Sequence, residues 1–283
     1  MTLPRTRSGV LARIAAHPLG SAPAEMRAGF AALAAGPEGL PDGVSIKETS
    51  TGLTVAPLDA SNAREIVWFH GGGYVFGAPE THLRPAAYLA ARHRFRVTLP
   101  RYPLAPENPW PTQRDAALAA IGGRDVILAG DSAGGHLALV TALARGRSGQ
   151  PPRGLLLFSP NADRSGLSDT RQANDALDPM VDDAGDARLA RLCFGDMARD
   201  HPEVSPVRDD LSLLPPTWLE VGTQEVLLGD ARALHRLGRA QGADVRIHEA
   251  DDLLHMAQLW APEWSVAGAS LDRAAAFARQ IDG

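Results

Sequence analysis

The first candidate for chemistry in this chain is a serine inside a short glycine-rich segment. Ser132 is the central residue of GDSAG at residues 130–134, a G-x-S-x-G pattern. An apolar run at residues 126–129 precedes it, and a helical pattern follows it. A serine on a sharp strand-to-helix turn has an exposed hydroxyl, and small flanking residues permit the tight backbone that the turn requires. This context favours Ser132 as a nucleophile over an ordinary glycine-rich turn.

A second glycine-rich segment, HGGG at residues 70–73, follows another apolar run at residues 66–69. An enzyme that transfers acyl groups needs backbone N–H groups aimed at the developing oxyanion, and glycines allow that close approach. Alone, the segment fits a flexible loop beside a structural histidine equally well. Because both segments occur in one chain, in the expected order, we predict an oxyanion-binding loop here.

A serine nucleophile also needs a base and an acid, which follow it in the chain order Ser, then Asp or Glu, then His. His235 lies within a helical pattern and His248 within a strand pattern, where surface or packing roles are more common. His255 instead follows the last predicted strand and precedes the last predicted helix, so we predict it as the base. The histidines compatible with the order are His201, His235, His248 and His255.

The acid is not fixed by chain order alone. Several carboxylates follow the apolar run at residues 217–221, and one of them, Asp230, also fits the N-cap of the helical pattern after it. Order therefore leaves four acids open. They are Glu225, Asp230, Asp251 and Asp252.

The elements that would position these residues alternate between strand and helix patterns. Such alternation predicts βαβ units, a parallel sheet and the α/β fold class. The β-type segments lie at residues 44–47, 53–56, 66–69, 96–99, 125–129, 155–158, 217–221 and 245–248. The helical patterns lie at residues 24–35, 85–92, 112–121, 134–145, 230–240 and 267–279.

Two stretches lie outside this alternation. Residues 1–43 mix short helical patterns with Gly and Pro, and the polar, Asp-rich stretch 161–200 interrupts the pattern before it resumes. A chain of 283 residues suits one α/β sheet with a large buried core. We expect a single domain at residues 1–283, with a helical cap from about 1–43 and about 161–200.

Composition excludes several classes of function. The 28 basic and 33 acidic residues form no long run of one sign, which argues against a nucleic-acid partner. Cys193 is the only cysteine, so neither an intrachain disulfide nor a thiolate zinc cluster can form. No apolar run approaches the roughly 18 residues needed to span a bilayer. We therefore predict a cytoplasmic protein without integral membrane association.

Taken together, the motifs resemble those of the hormone-sensitive-lipase-like esterases, also called bacterial family IV. This resemblance implies the α/β-hydrolase fold, with a mostly parallel central sheet flanked by helices and covered by a helical cap. It extends from about residue 65 to the C-terminus. The matching segments are HGGGY at 70–74, YPLAPE at 102–107, GDSAGG at 130–135, Ser205-Pro206 with LPP at 214–216, and Leu254-His255.

The resemblance also implies roles for individual residues. The oxyanion hole would be formed by the N–H groups of Gly72, Gly73 and Ala133, in a loop shaped by Gly71. His70 would hold that loop through hydrogen bonds and transfer no proton, and Glu107 would be a buried anchor near it. Glu225 occupies the position where many members have an aspartate, so we expect this glutamate to be the acid.

The activity implied is hydrolysis of small, short-chain carboxylic esters by Ser132, His255 and Glu225, without a metal or an organic cofactor. A lactonase, an amidase or a thioesterase would use the same groups. A non-catalytic small-molecule receptor on this scaffold is disfavoured because serine, histidine and acid are all present. Some relatives pair through the edge of the sheet, so the resemblance leaves a homodimer open.

Overall fold

One eight-stranded sheet contains every strand that the sequence predicts. The structure is a computed structural model that describes residues 3–36, 39, 41–61 and 63–281. Its strands are β1 (Val44–Thr49), β2 (Gly52–Pro57), β3 (Glu65–Phe69), β4 (Arg96–Pro100), β5 (Ile127–Asp131), β6 (Gly154–Phe158), β7 (Thr217–Gly222) and β8 (Val245–Ala250). They lie in the order β1-β2-β4-β3-β5-β6-β7-β8. The pairs β1–β2 and β2–β4 are antiparallel and the other pairs are parallel, which confirms the predicted α/β class.

Helices flank the sheet, and further helices lie in the two segments that stand outside the strand–helix alternation. Those between or after the strands are α3 (Leu83–His93), α4 (Thr112–Ile121), α5 (Ala133–Arg147), α8 (Leu228–Ala240) and α9 (Ser265–Gln280). Those in the two predicted cap segments are α1 (Arg7–Ala16), α2 (Pro23–Ala34), α6 (Thr170–Ala173) and α7 (Asp183–Phe194). Among all the residues that the structure describes, no helix combines the length and apolar composition needed to cross a bilayer.

Burial explains why the central strands are continuously apolar. Every residue of β5 and of β6 is buried, and so is α5 from Ala133 to Leu143. Parallel strands covered on both faces have no solvent-facing side and therefore do not alternate. In the register, Phe69 pairs with Gly130, and Asp131 pairs with Phe158. The segments that follow β3, β5 and β6 consequently meet at one edge of the sheet, where ligands bind in open α/β sheets.

The segment 161–200 contains helical structure that its sequence does not make obvious. Asp182 caps α7 by accepting a hydrogen bond from the Gly185 N–H. The sequence of α7 nevertheless contains many polar residues, so its apolar pattern is too weak to predict the helix. In the N-terminal segment, Arg13 fastens α1 to α2 by donating to the Leu33 carbonyl. The predicted cap range also includes residues 1, 2, 37, 38 and 40, which lie outside the described residues.

Candidate active site

Ser132 lies on a strained turn between β5 and α5. Its backbone has φ 53° and ψ −122°, in a region that residues with side chains rarely adopt. The turn is held by hydrogen bonds from Ser132 N to Phe158 O, 3.0 Å, and from His136 N to Ser132 O, 3.0 Å. Gly134 must be a glycine, because a Cβ there would collide with the backbone of Phe69 and His70. The turn thus places the hydroxyl at the N-terminus of a buried helix.

A buried carboxylate orients the predicted base. His255 Nδ1 lies 2.8 Å from Glu225 Oε2, and each side chain is 2% exposed. The other oxygen, Oε1, accepts hydrogen bonds from Ser159 Oγ at 2.9 Å and from Gly222 N at 2.7 Å. Because the glutamate is held on both oxygens, it fixes the ring of His255 and selects the tautomer with the proton on Nδ1.

The charges around His255 favour its protonated form. Burial alone would lower the pKa of this histidine. The hydrogen bond and charge of Glu225, together with the charges of Asp178 and Asp131, outweigh burial and raise the pKa above its usual 6.5. The surroundings are therefore suited to an imidazole that receives a proton during a reaction.

One cavity of about 110 Å³ brings most of the predicted residues together. Ser132 and His255 border it along with Gly72 and Gly73. Within the described residues the Ser132 hydroxyl makes no hydrogen bond, so the serine and the imidazole border the same cavity without a hydrogen bond between them in this structure. Such contacts often become close only when substrate is bound. The rest of the lining is largely apolar and includes Leu19, Met26, Phe30, Phe76, Met180, Val181, Leu189 and Met256.

The glycine loop adopts conformations that require glycine. Gly72 has φ 121° and Gly73 has φ 58°, and a Cβ on Gly72 would collide with the carbonyl group of Phe76. The Gly72 carbonyl accepts hydrogen bonds from Val75 N and Phe76 N, both 3.0 Å, which close the loop into a turn. Ala133, the third predicted donor, is the first residue of α5, directly after Ser132.

Asp131, the residue before the serine, fastens this loop to β5. Its buried carboxylate accepts hydrogen bonds from Gly71 N at 3.0 Å and from Trp68 Nε1 at 2.8 Å, and it lies 3.0 Å from His82 Nε2. Burial would raise the pKa of Asp131, but its interactions with His82, Trp68 and His70 lower it overall. The charged carboxylate thereby sets the distance between the loop and Ser132.

His70 lies beneath the loop rather than in the cavity. Its Nδ1 lies 2.8 Å from the Gly71 carbonyl, its ring stacks on Tyr102 with centroids 4.2 Å apart, and the Tyr102 hydroxyl donates to the His70 carbonyl at 2.7 Å. Burial, with a smaller effect from His82, lowers the pKa of His70 to about 3. A histidine that stays neutral in this position has the contacts of a structural group.

The prediction that Glu107 is buried is wrong. Its side chain is 55% exposed and pairs with Arg27 at 2.6 Å. Arg27, from α2, makes the contact with the loop region by donating to the carbonyls of Val75 at 2.9 Å and Ala105 at 3.0 Å. An ionised carboxylate is costly to bury, so Glu107 stays at the surface and reaches the loop only through this guanidinium.

The alternative acids lie elsewhere. Asp230 is not an N-cap, since α8 begins at Leu228 and Asp230 is buried in its first turn. Its carboxylate pairs with Arg171 at 2.9 Å and accepts a hydrogen bond from Asp163 N at 2.8 Å. Asp251 and Asp252 are exposed.

Two polar residues at this site were not predicted from the sequence. Ser159 binds Glu225 as described above, and Asp178 is a buried carboxylate beside the pair Glu225–His255. Ser159 follows the buried strand β6 at the same edge as Ser132, and that position was an available signal. Asp178 lies in the polar segment 161–200, and nothing in the sequence of that segment indicates that Asp178 lies near His255, 77 positions later.

Comparison with known proteins decides the family. Residues 66–259, more than half of the chain, match the α/β-hydrolase fold family. The chain is 30% identical to an esterase from the bacterial hormone-sensitive lipase family, with a TM-score of 0.90 and coverage of 98% of each chain. It belongs to the bacterial hormone-sensitive lipase family. The resemblance predicted from the motifs is thus confirmed, and this family's enzyme class is carboxylic ester hydrolase.

Other relatives agree with membership in the hormone-sensitive lipase family. A hormone-sensitive lipase from a metagenome library is 29% identical, with a TM-score of 0.87 and coverage of 98% of this chain and 100% of that one. An esterase of Acinetobacter venetianus is 35% identical over 67% of this chain, and the match spans 65% of that esterase. An acetyl-hydrolase of Streptomyces hygroscopicus is 31% identical over 78% of this chain and 77% of its own length.

Proposed function

We propose that this protein is a serine carboxylesterase that hydrolyses small, short-chain carboxylic esters through an acyl-enzyme on Ser132. The observation that carries the proposal is the single cavity bordered by Ser132, His255 and two glycines of the loop, with His255 held by the buried Glu225. The names of the relatives, esterase and acetyl-hydrolase, support the same class of substrate.

In the proposed mechanism, His255 takes the hydroxyl proton as Ser132 Oγ attacks the ester carbonyl. Glu225 stabilises the imidazolium that results. The N–H groups of Gly72, Gly73 and Ala133 bind the oxyanion, and one such donor typically contributes on the order of 100- to 1,000-fold in turnover. The imidazolium then protonates the departing alcohol, and water releases the acid by the reverse route. Each step uses protein groups and water, so we propose no metal or organic cofactor.

The cavity supports small substrates. Its volume is about 110 Å³, and most of its apolar lining comes from the two segments that we propose as the cap, about 1–43 and about 161–200. Leu189 of α7 packs so close to the loop that a Cβ on Gly73 would collide with it. An acyl chain longer than a few carbons would have to displace these side chains.

The test is a series of p-nitrophenyl esters from acetate to decanoate, given to wild type and to Ser132→Ala. We expect highest kcat/KM at two to four carbons and loss of turnover in the variant. Leu189→Ala should move the optimum to longer chains, because it enlarges the acyl side of the cavity. Turnover retained by Ser132→Ala would contradict the proposal. Hydrolysis of a lactone and of an anilide is measured in parallel, and a preference for either over the esters would identify a lactonase or an amidase.

The sequence also predicts a cytoplasmic location and leaves a homodimer open. Both stay predictions. The first is tested by fractionation of the producing cell, and the second by light scattering of the purified protein.

A further inference from the structure

The segment that precedes α7 holds the loop that carries Glu225. Three polar residues spaced four apart, Thr170, Asn174 and Asp178, bind the backbone of residues 223–229. The contacts are Thr170 Oγ1 with Val226 O (2.9 Å) and Gly229 N (2.7 Å), Asn174 Nδ2 with Thr223 O (3.2 Å) and Glu225 O (2.8 Å), and Asp178 Oδ2 with Val226 N (3.0 Å).

Asp178 differs from the other two because it brings a charge to His255. A carboxylate oxygen of Asp178, one of Glu225 and a ring nitrogen of His255 lie within 4.8 Å of one another, and all three residues are buried. The second oxygen, Oδ1, accepts hydrogen bonds from Met180 N at 2.9 Å and Val181 N at 3.1 Å. Because the carboxylate is held on both sides, its charge is fixed in place.

We propose that Asp178 is a positioning residue that acts on the base through two routes. It fixes the loop of Glu225, and its charge favours the imidazolium that His255 becomes when it takes the proton of Ser132. This inference rests on the proposed function. Since Met180 and Val181 border the cavity, Asp178 also connects the cavity wall to the base.

Electrostatics at the site agree with this role. Three carboxylates, those of Glu225, Asp178 and Asp131, raise the pKa of His255 against the effect of burial, and the same cavity is also lined by the charged residues Asp182, Asp186 and Arg188. The pKa of Asp178 is itself raised, first by burial and also by Glu225, while His255 lowers it. Two carboxylates therefore share one imidazole, and removing either should make the imidazole less basic.

The experiment compares Asp178→Asn with Asp175→Asn in the pH profile of kcat/KM for p-nitrophenyl acetate. Asp175 is a matched control, because it is an exposed aspartate of the same segment that accepts a backbone hydrogen bond from Asp183 N at 2.8 Å. In Asp178→Asn we expect the acid-side midpoint to move about one pH unit lower. We also expect a fall in kcat with little change in KM, and no change in the control.

An active Asp178→Asn with the wild-type midpoint would overturn the role of Asp178 and leave the proposed function intact. A wild type that does not hydrolyse esters, or whose activity is retained in Ser132→Ala, would contradict the proposed function instead. Should Asp178→Asn fail to fold, the imidazole of His255 is titrated by NMR in wild type and in Asp178→Glu, with His255→Ala for assignment. We expect the His255 midpoint to differ between the two proteins, because the extra methylene of glutamate displaces the carboxylate, and equal midpoints would overturn the inference.

Discussion

Glu225 shows how one side chain can define a catalytic base. Its two oxygens accept three hydrogen bonds, from Ser159, Gly222 and His255. The loop approaches so closely that a Cβ on Gly222 would lie 2.9 Å from Glu225 Oε1. The extra methylene of a glutamate, relative to an aspartate, is thus accommodated by the loop, and the carboxylate has no freedom to turn away from the imidazole.

This geometry predicts different effects for substitutions of Glu225 and Asp230, the two candidate acids that follow β7. Glu225→Gln should lower kcat on the order of 1,000- to 10,000-fold, because the amide no longer stabilises the imidazolium or selects the correct tautomer. Asp230→Asn should mainly reduce thermal stability, because its partner is Arg171 and not His255. Steady-state kinetics and thermal denaturation of both variants check this. If Asp230→Asn abolishes turnover and Glu225→Gln does not, the assignment is wrong.

Among the elements, the decisive connection is between β5 and the glycine loop. Asp131 ends the strand, and Ser132 begins the turn, so one buried carboxylate controls the spacing between nucleophile and loop. Its neighbours Gly71, Trp68 and His82 all present nitrogen atoms to it.

Asp131→Asn should therefore reduce both stability and turnover. The amide removes the charge and puts an N–H group against a donor, and leaving a buried donor without its acceptor costs about 1–3 kcal/mol. Urea unfolding measures this loss. Asp125→Asn is the control, because Asp125 is 61% exposed and lies just before the same strand; its effect should stay within about 0.5 kcal/mol. Equal free energies of unfolding for the two variants would contradict the role of Asp131 in holding the glycine loop to β5.

Strands and motifs were predictable because their signals are local. The run at residues 66–69 is apolar because β3 is covered on both faces. The GDSAG segment predicts a sharp turn because such a turn needs small residues on both sides of the serine. The exposed position of Glu107 was not predictable, since Glu107 pairs with Arg27, which lies 80 positions earlier. Asp178 was missed for the same reason, because only the folded segment 161–200 places it beside Glu225. Ser159 could have been found, because it follows a predicted strand at the same edge of the sheet as Ser132.

For the whole molecule, buried histidines make stability depend on pH. His136 lies in α5, with Nδ1 2.5 Å from the Tyr74 hydroxyl, and burial, with the nearby charge of Arg164, lowers its pKa to about 3. The unfolded chain binds a proton at this residue near pH 6.5, whereas the folded protein stays neutral there. Stability is thus lost as pH falls below about 6.5. Asp230 acts in the opposite direction, because burial raises its folded pKa to about 6.

A comparison of wild type with His136→Gln isolates this contribution. The variant lacks the titrating imidazole, so the difference in free energy of unfolding, wild type minus variant, should decrease by about 1.4 kcal/mol for each pH unit below 6.5. Urea unfolding at pH 7, 6 and 5 measures it. A difference that does not change with pH would show that His136 binds its proton as readily in the folded protein as in the unfolded chain.

The central claim is that Ser132 is a nucleophile activated by His255. It is tested most directly by treating the protein with a fluorophosphonate and locating the adduct by peptide mass spectrometry. We predict one equivalent on Ser132, complete loss of esterase activity, much slower labelling of His255→Ala and none of Ser132→Ala. An adduct on another residue, or full activity after labelling of Ser132, would contradict the account.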